Sequence, residues 1–458
     1  MRFLPHTLFT NPFALLALLL GLTIVSEAML LSRLDRLPVS SAVDNIASAP
    51  TLRNDLQPLV RNEVRPQDWF GAAVALTDSS ALVASPRQLV AGRPTGAVHL
   101  FHRGPLGQWH PVHQFTRSEL AAGANFGSAV SASAGRVLIG VCPNEEQAAD
   151  APVAYVYERL GSEWRSSPLT IDNDGPSLLN AVSLAIDGDA AIVGQVSRAT
   201  DSDRLSAKAC IFRARSDGTW QPIATLTQNH AATTFINSFG NAVALSGSRA
   251  IVGAPLVDTS RGVEGAAYVY QECANGQWQR IATLTADDDE RANCFGCSVA
   301  IAGNTAIVGA MAANAPEMNS GAAYVFRVDD DGRWKQVAKL APHDLENWSC
   351  FGRSVALRGD LAVVGAPGSD DGVGAIYAFR VRRSATKQLA CFSPQSATPR
   401  SAFGQSASIA GSTLLAGAPW QDLADQDNTG AAYACNLAQP PRTITDDVRS
   451  HSLAFAPP

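Results

Sequence analysis

The chain has 458 residues, 46% of them hydrophobic, and a formal net charge of −6 from 35 basic and 41 acidic side chains. That balance lacks the basic footprint of a nucleic-acid-binding protein, so no nucleic-acid partner is expected. The length would hold about three ordinary domains, or one large repeat domain.

At the N-terminus, Arg2 precedes an apolar run from Phe13 to Val25, followed by Ser26-Glu27-Ala28. A basic start, a short apolar core and small residues at the end read as a secretory signal over residues 1–28. The run is short for a bilayer crossing, so no membrane span is expected in the mature chain. An uncleaved signal anchor is the alternative. Residues 29–54 read as a polar linker and 440–458 as a Pro-containing tail, which leaves one domain over 55–439. The expected location is secreted, periplasmic or cell-surface.

Within that domain the pair Phe-Gly recurs at Phe70, Phe126, Phe239, Phe295, Phe351 and Phe403, and a degenerate copy starts at Leu178. Phe239, Phe295 and Phe351 fall at a constant step of 56 residues. The unit beginning at Phe239 continues with Ala250-Ile-Val-Gly-Ala-Pro255, Gly265-Ala-Ala-Tyr-Val-Tyr270 and Trp278 to Leu284. These are four short apolar runs between turn residues, which predicts four strands per unit. Val243 and Leu245 share one strand face, as do Val299 and Ile301, and small residues line the other. A Trp opens the fourth run at Trp109, Trp164, Trp220, Trp278 and Trp334. Such units cannot bury a core singly and stack radially. The fold class is therefore all-β, a seven-bladed β-propeller of four-stranded antiparallel blades. The last unit lacks a fourth strand, and residues 55–62 are expected to supply it, so that an N-terminal strand closes the ring and covers an open edge.

These motifs resemble the FG-GAP repeat family, the propeller of the integrin α-subunit head, over roughly residues 55–438. Gly253-Ala-Pro255, Gly365-Ala-Pro367 and Gly417-Ala-Pro419 are intact, and the short turns look most like the bacterial extracellular branch. The resemblance implies an adhesion or protein-binding role. It would also imply calcium loops between strands one and two, but here only tight turns stand there, such as Ser246-Gly-Ser-Arg249. No cofactor and no metal ligand is carried over. Calcium bridging of the acidic loops is left open.

Several candidates favour plain structural readings. The tripeptide Arg358-Gly359-Asp360 occupies a Gly-bearing turn, and Asp329-Asp-Asp-Gly332 a hairpin turn. Hairpin pairing of His102 with His110 would also set His99 against His113, a weak metal candidate beside outer decoration. The eight cysteines permit disulfides in an exported chain, with Cys294 and Cys350 at equivalent unit positions; the C-x-x-C run Cys294–Cys297 lies at a strand start rather than a helix start. No motif for a nucleophile, zinc protease or phosphate loop is present, so no catalytic residue is assigned and an enzyme is not expected.

The long two-to-three and four-to-one connections emerge on one face and hold much of the acid. Candidate partner-binding residues there are Asp287, Asp288, Asp289, Glu290, Asp344, Asp370, Asp371, Asp422, Asp425 and Asp427, with Glu145, Glu146 and Asp150 nearby in type. The expectation is a monomeric, non-catalytic binding module that recognises a protein or glycan through this face. The alternatives are a lyase or hydrolase with an axial site, or a structural module of a surface assembly.

Overall fold

Short β-branched runs separated by tight turns fold into antiparallel meanders, each paired in sequence order. In the fourth, Ala242–Ser246, Arg249–Ala254, Ala266–Glu272 and Trp278–Leu284 form one sheet. The computed structural model describes residues 51–437 except 53–55, 62, 64, 134, 143–150, 172–176, 200–204, 229–237, 260–261, 264, 288–293, 384 and 424–425. Seven such blades form the ring. Their first strands are Val74–Leu76, Val130–Ser133, Ser177–Asp187, Ala242–Ser246, Phe295–Ala302, Ser354–Arg358 and Ser406–Ala410. First strands of successive blades pack against one another, and that of the last packs against that of the first. The proposed signal, most of the linker and the tail lie outside the described residues.

The one-to-two turns contain two residues. Ser246 pairs with Arg249, Ala302 with Thr305, Arg358 with Leu361 and Ala410 with Thr413. A glycine with φ between +54° and +59° comes first in each of them: Gly247, Gly303, Gly359 and Gly411. Hairpin turns of this length need positive φ there to match strand twist, and glycine adopts it without strain.

The hydrophobic core is divided into seven clusters, each lying between two neighbouring blades. Phe295 is one centre. It is fully buried and meets Tyr324 and Phe326 at ring-centroid distances of 5.4 and 6.0 Å. Phe351 and Phe403 repeat the arrangement with Tyr377 and Tyr433. Tilted and edge-on aromatic contacts of this kind add to the burial free energy. The seventh cluster joins Phe70, Val83 and Phe101 of the first blade to Leu415, Ala432 and Ala434 of the last.

The last blade has the order Gln57–Pro58, Ala431–Asn436, Thr413–Ala418, Ser406–Ala410. Gln57 faces Ala434 and Pro58 faces Tyr433, antiparallel, and the Leu59 N–H reaches the Ala432 carbonyl at 2.9 Å. The paired segment is thus much shorter than 55–62. Thr51–Leu52 lies parallel against the outer strand Thr386–Phe392 of the sixth blade.

Candidate functional site

The phenylalanine–glycine and glycine–alanine–proline motifs meet at the seams. In the fourth blade the Gly240 N–H donates to the Gly253 carbonyl at 3.0 Å. A Cβ on Gly253 would run into the carbonyl group of Gly296 in the next blade. The pairs Gly309–Gly352, Gly365–Gly404 and Gly417–Gly71 repeat this close approach. Ser298, Ser354 and Ser406 donate their hydroxyls to the carbonyls of Gly352, Gly404 and Gly71 at 2.7, 2.8 and 2.8 Å. The motif therefore fixes the frame, and the loops it leaves free differ from blade to blade.

Those loops carry the predicted acidic residues. Asp370 and Asp371 stand in a helical turn, Ser369–Gly372, both with φ of +54°. Asp tolerates this left-handed conformation better than most residues, and both side chains face solvent. Asp422 is exposed and its Oδ1 accepts the Asn428 N–H at 2.7 Å, which braces the two-to-three loop of the last blade. Asp427 is exposed, and its carbonyl accepts the Gln67 N–H at 2.9 Å. Asp287 is exposed, with its N–H donated to Gln336 Oε1 at 3.1 Å. Asp344, also exposed, lies by the Tyr377 hydroxyl; burial first, then Cys391 and Asp344, push that phenol upward. Asp288, Asp289, Glu290 and Asp425, like Glu145, Glu146 and Asp150, lie outside the described residues.

The described carboxylates do not converge. Among the described residues no three His, Cys, Asp or Glu side chains are grouped to hold a metal ion. The two-residue one-to-two turns likewise do not fit a calcium loop, which must supply six or more oxygens around one point. Asp329 in the Asp329–Gly332 turn is occupied locally. Its Oδ1 accepts the N–H groups of Asp331 and Arg333 at 3.0 and 2.8 Å, and its Oδ2 meets Lys335 Nζ at 2.7 Å. The Arg358-Gly359-Asp360 turn is also engaged, since Asp360 Oδ2 takes Arg382 Nε at 3.1 Å and Arg380 Nε at 3.6 Å.

The paired histidines need correction. His102 does face His110, but His99 faces Gln114 and His113 faces Leu100. A β-bulge between Leu100 and Phe101 leaves Val112 as the extra residue and shifts the register by one. The same bulge recurs in the blades of Ile281 and Val337. His99 is buried, with Nε2 bonded to Gln88 Oε1 at 2.8 Å, whereas His113 stacks on Trp164.

The cysteine expectation is also corrected. Cys294 and Cys350 are both free thiols, so that pair does not form. Cys294, Cys297 and Cys350 are near enough to influence one another, and burial chiefly, then Cys297 and Cys350, raises the Cys294 thiol. Burial pushes Cys350 up to about 11. Thiols raised in this way are poor thiolates, which is contrary to a redox C-x-x-C centre.

Sequence reasoning missed a buried polar group beside the ring closure. Arg61 and Asp68 form an ion pair at 2.8 Å, with side chains 4% and 3% exposed. Arg61 also donates to Ser85 Oγ at 3.3 Å and to the Thr429 carbonyl at 3.2 Å, and lies 4.9 Å above the Phe70 ring. His99 meets the other side of this group, edge-on to Phe70 at 5.5 Å. Burial chiefly, and Arg61 next, lower the His99 pKa to about 3. The only sequence signal was an arginine and an aspartate a few residues ahead of the first phenylalanine–glycine pair.

The FG-GAP repeat family matches residues 220–270, 278–326, 334–379 and 387–435. Each matched segment starts at or within an outer strand and ends in the third strand of the following blade. No curated protein matches the chain. Among solved structures, a crystal structure of a protein from Lactobacillus plantarum is similar at 11% identity, with a TM-score of 0.44 over 71% of this chain and 85% of that one. The four matched repeats lie within the seven-bladed ring with glycine-sealed seams, so residues 220–435 are FG-GAP repeats of a β-propeller.

Proposed function

We propose that this propeller is a non-catalytic binding module, exported from the cytoplasm, that takes a protein or glycan partner on its long-loop face. The observation that carries the reading is the placement of Asp287, Asp344, Asp370, Asp371, Asp422 and Asp427 on long connections of a frame whose other turns are minimal. Loops on a rigid scaffold can vary without disturbing the core, and solvent-facing carboxylates favour a cationic partner surface. The side chains that would serve catalysis elsewhere are occupied here: His99 is neutral and buried, and the three neighbouring thiols are raised. Export rests on the pattern of Arg2 and the apolar run from Phe13 to Val25.

The test is capture of envelope proteins and arrayed glycans by the purified full-length chain, with calcium and with chelator. An Asp370→Asn, Asp371→Asn, Asp422→Asn variant should lose most of the captured partner. Undiminished capture by a folded triple variant would remove the face assignment. Turnover of a supplied glycan without any captured partner would favour the enzyme reading.

A further inference from the structure

The opposite face, formed by the short turns, is not uniformly plain. Between the fifth and sixth blades lies a cleft of about 290 Å³, lined by Asn304, Thr305, Arg327, Asp360, Arg382 and Arg383 among others. Three guanidinium groups and one carboxylate give that lining a net charge of +2. The residues come from two blades. Arg327 lies in the third strand Ala322–Val328, while Arg382 and Arg383 follow the equivalent strand Ala375–Val381.

Arg327 is incompletely satisfied. Its Nε donates to Thr305 Oγ1 at 3.3 Å and its Nη2 donates to the Val381 carbonyl, but Nη1 is closed off from solvent and has no acceptor. A guanidinium nitrogen withdrawn from water without an acceptor is costly, and a turn of the Arg327 head toward an anion in the cleft would relieve it. Burial, and then Arg383, lower the Arg327 pKa, while Asp360 opposes them. The carboxylate in the cleft is already committed, held by Arg380 and by Arg382 through Nε. Arg383 has only an exposed contact with Asp330 at 3.4 Å.

We propose that this cleft binds a tetrahedral oxyanion, a phosphate or sulfate group, between Arg327, Arg382 and Arg383. A dianion matches the +2 lining, and its oxygens can accept from several planar guanidinium forks at once. A phosphate monoester carries about −1.5 to −2 at neutral pH, and a sulfate the same order of charge. The site is on the face away from the acidic loops and does not depend on the partner proposed there.

The test is isothermal titration of the full-length protein with inorganic phosphate and, separately, with inorganic sulfate, at low and constant ionic strength. Potassium chloride serves as the blank. Saturable binding of at least one anion at one site per chain is expected, and the tighter of the two assigns the source. Arg382→Ala, Arg383→Ala should weaken it at least tenfold, and Arg383→Glu should do likewise. Arg165→Ala, a short-turn-face arginine of the second blade, should leave it unchanged. No saturable heat with either anion, or equal affinity in the folded double variant, would overturn the proposal.

Discussion

Ser406 of the last blade donates its hydroxyl to the carbonyl of Gly71 in the first, at 2.8 Å. The bond spans nearly the whole domain in sequence and seals the ring by the same device that joins Ser298 to Gly352 and Ser354 to Gly404. Gly417 lies beside it, where any Cβ would strike the Gly71 carbonyl. Closure is therefore one more seam of the repeating kind, reinforced by the short Gln57–Pro58 pairing.

The seam glycines should be intolerant of a methyl group. Gly253→Ala sets a Cβ against backbone on the neighbouring blade, which can yield only if the blades part. A loss of about 3 kcal/mol or more is expected from urea unfolding, in the range of overpacking or worse. Gly276→Ala, at φ +78° in an open turn with nothing near its Cβ, should lose only about 1 kcal/mol from backbone strain. Equal losses would contradict the seam account.

Breaking the Arg61–Asp68 pair should be severe. Asp68→Ala leaves a buried guanidinium without its counter-charge, so a loss of about 3–5 kcal/mol is expected. Chemical denaturation of the single variant and of Arg61→Met, Asp68→Leu separates the cases. The double variant, which buries no charge, should recover much of the loss.

His99 makes acid stability predictable in sign. Its folded pKa, about 3, lies below the value near 6.5 of the unfolded chain. Between those values the unfolded state binds the extra proton. Its contribution is therefore fully present above pH 6.5 and is lost as pH falls toward 3, by up to about 1.4 kcal/mol per unit. Denaturation midpoints at pH 7.5 and pH 5 should converge in His99→Gln relative to the parent. An unchanged difference would show that His99 titrates normally.

Removal of residues 1–60 would take away Thr51–Leu52 and Gln57–Pro58 together, leave Arg61 with Asp68, and bare the Ala431–Asn436 strand edge. An uncovered edge invites pairing with another chain. A lower melting temperature and concentration-dependent light scattering are expected. An unaltered melting temperature with no scattering would show that the seams alone close the ring.

Much was determined by the sequence itself. A fixed repeat carries the same local instructions seven times, so strand count, turn positions and the seam glycines could be read from Phe239, Gly253 and their equivalents. Even the degenerate unit at Leu178 keeps Asn180 and Val182 where the unit at Phe239 has Asn241 and Val243. Tertiary structure decided everything that depends on residues meeting across blades. The bulge at Val112 moved His113 away from His99 because one added residue shifts every later pairing by one. Arg61, Asp68 and His99 are brought together only by ring closure, and Arg327, Arg382 and Arg383 only by the apposition of two blades. The free state of Cys294 and Cys350 likewise depended on side-chain placement, which spacing along the chain does not specify. Asp287, Asp344, Asp370, Asp371, Asp422 and Asp427 lie between strands, but the failure of the described carboxylates to gather into one metal cage is a matter of loop geometry that has no repeat to encode it.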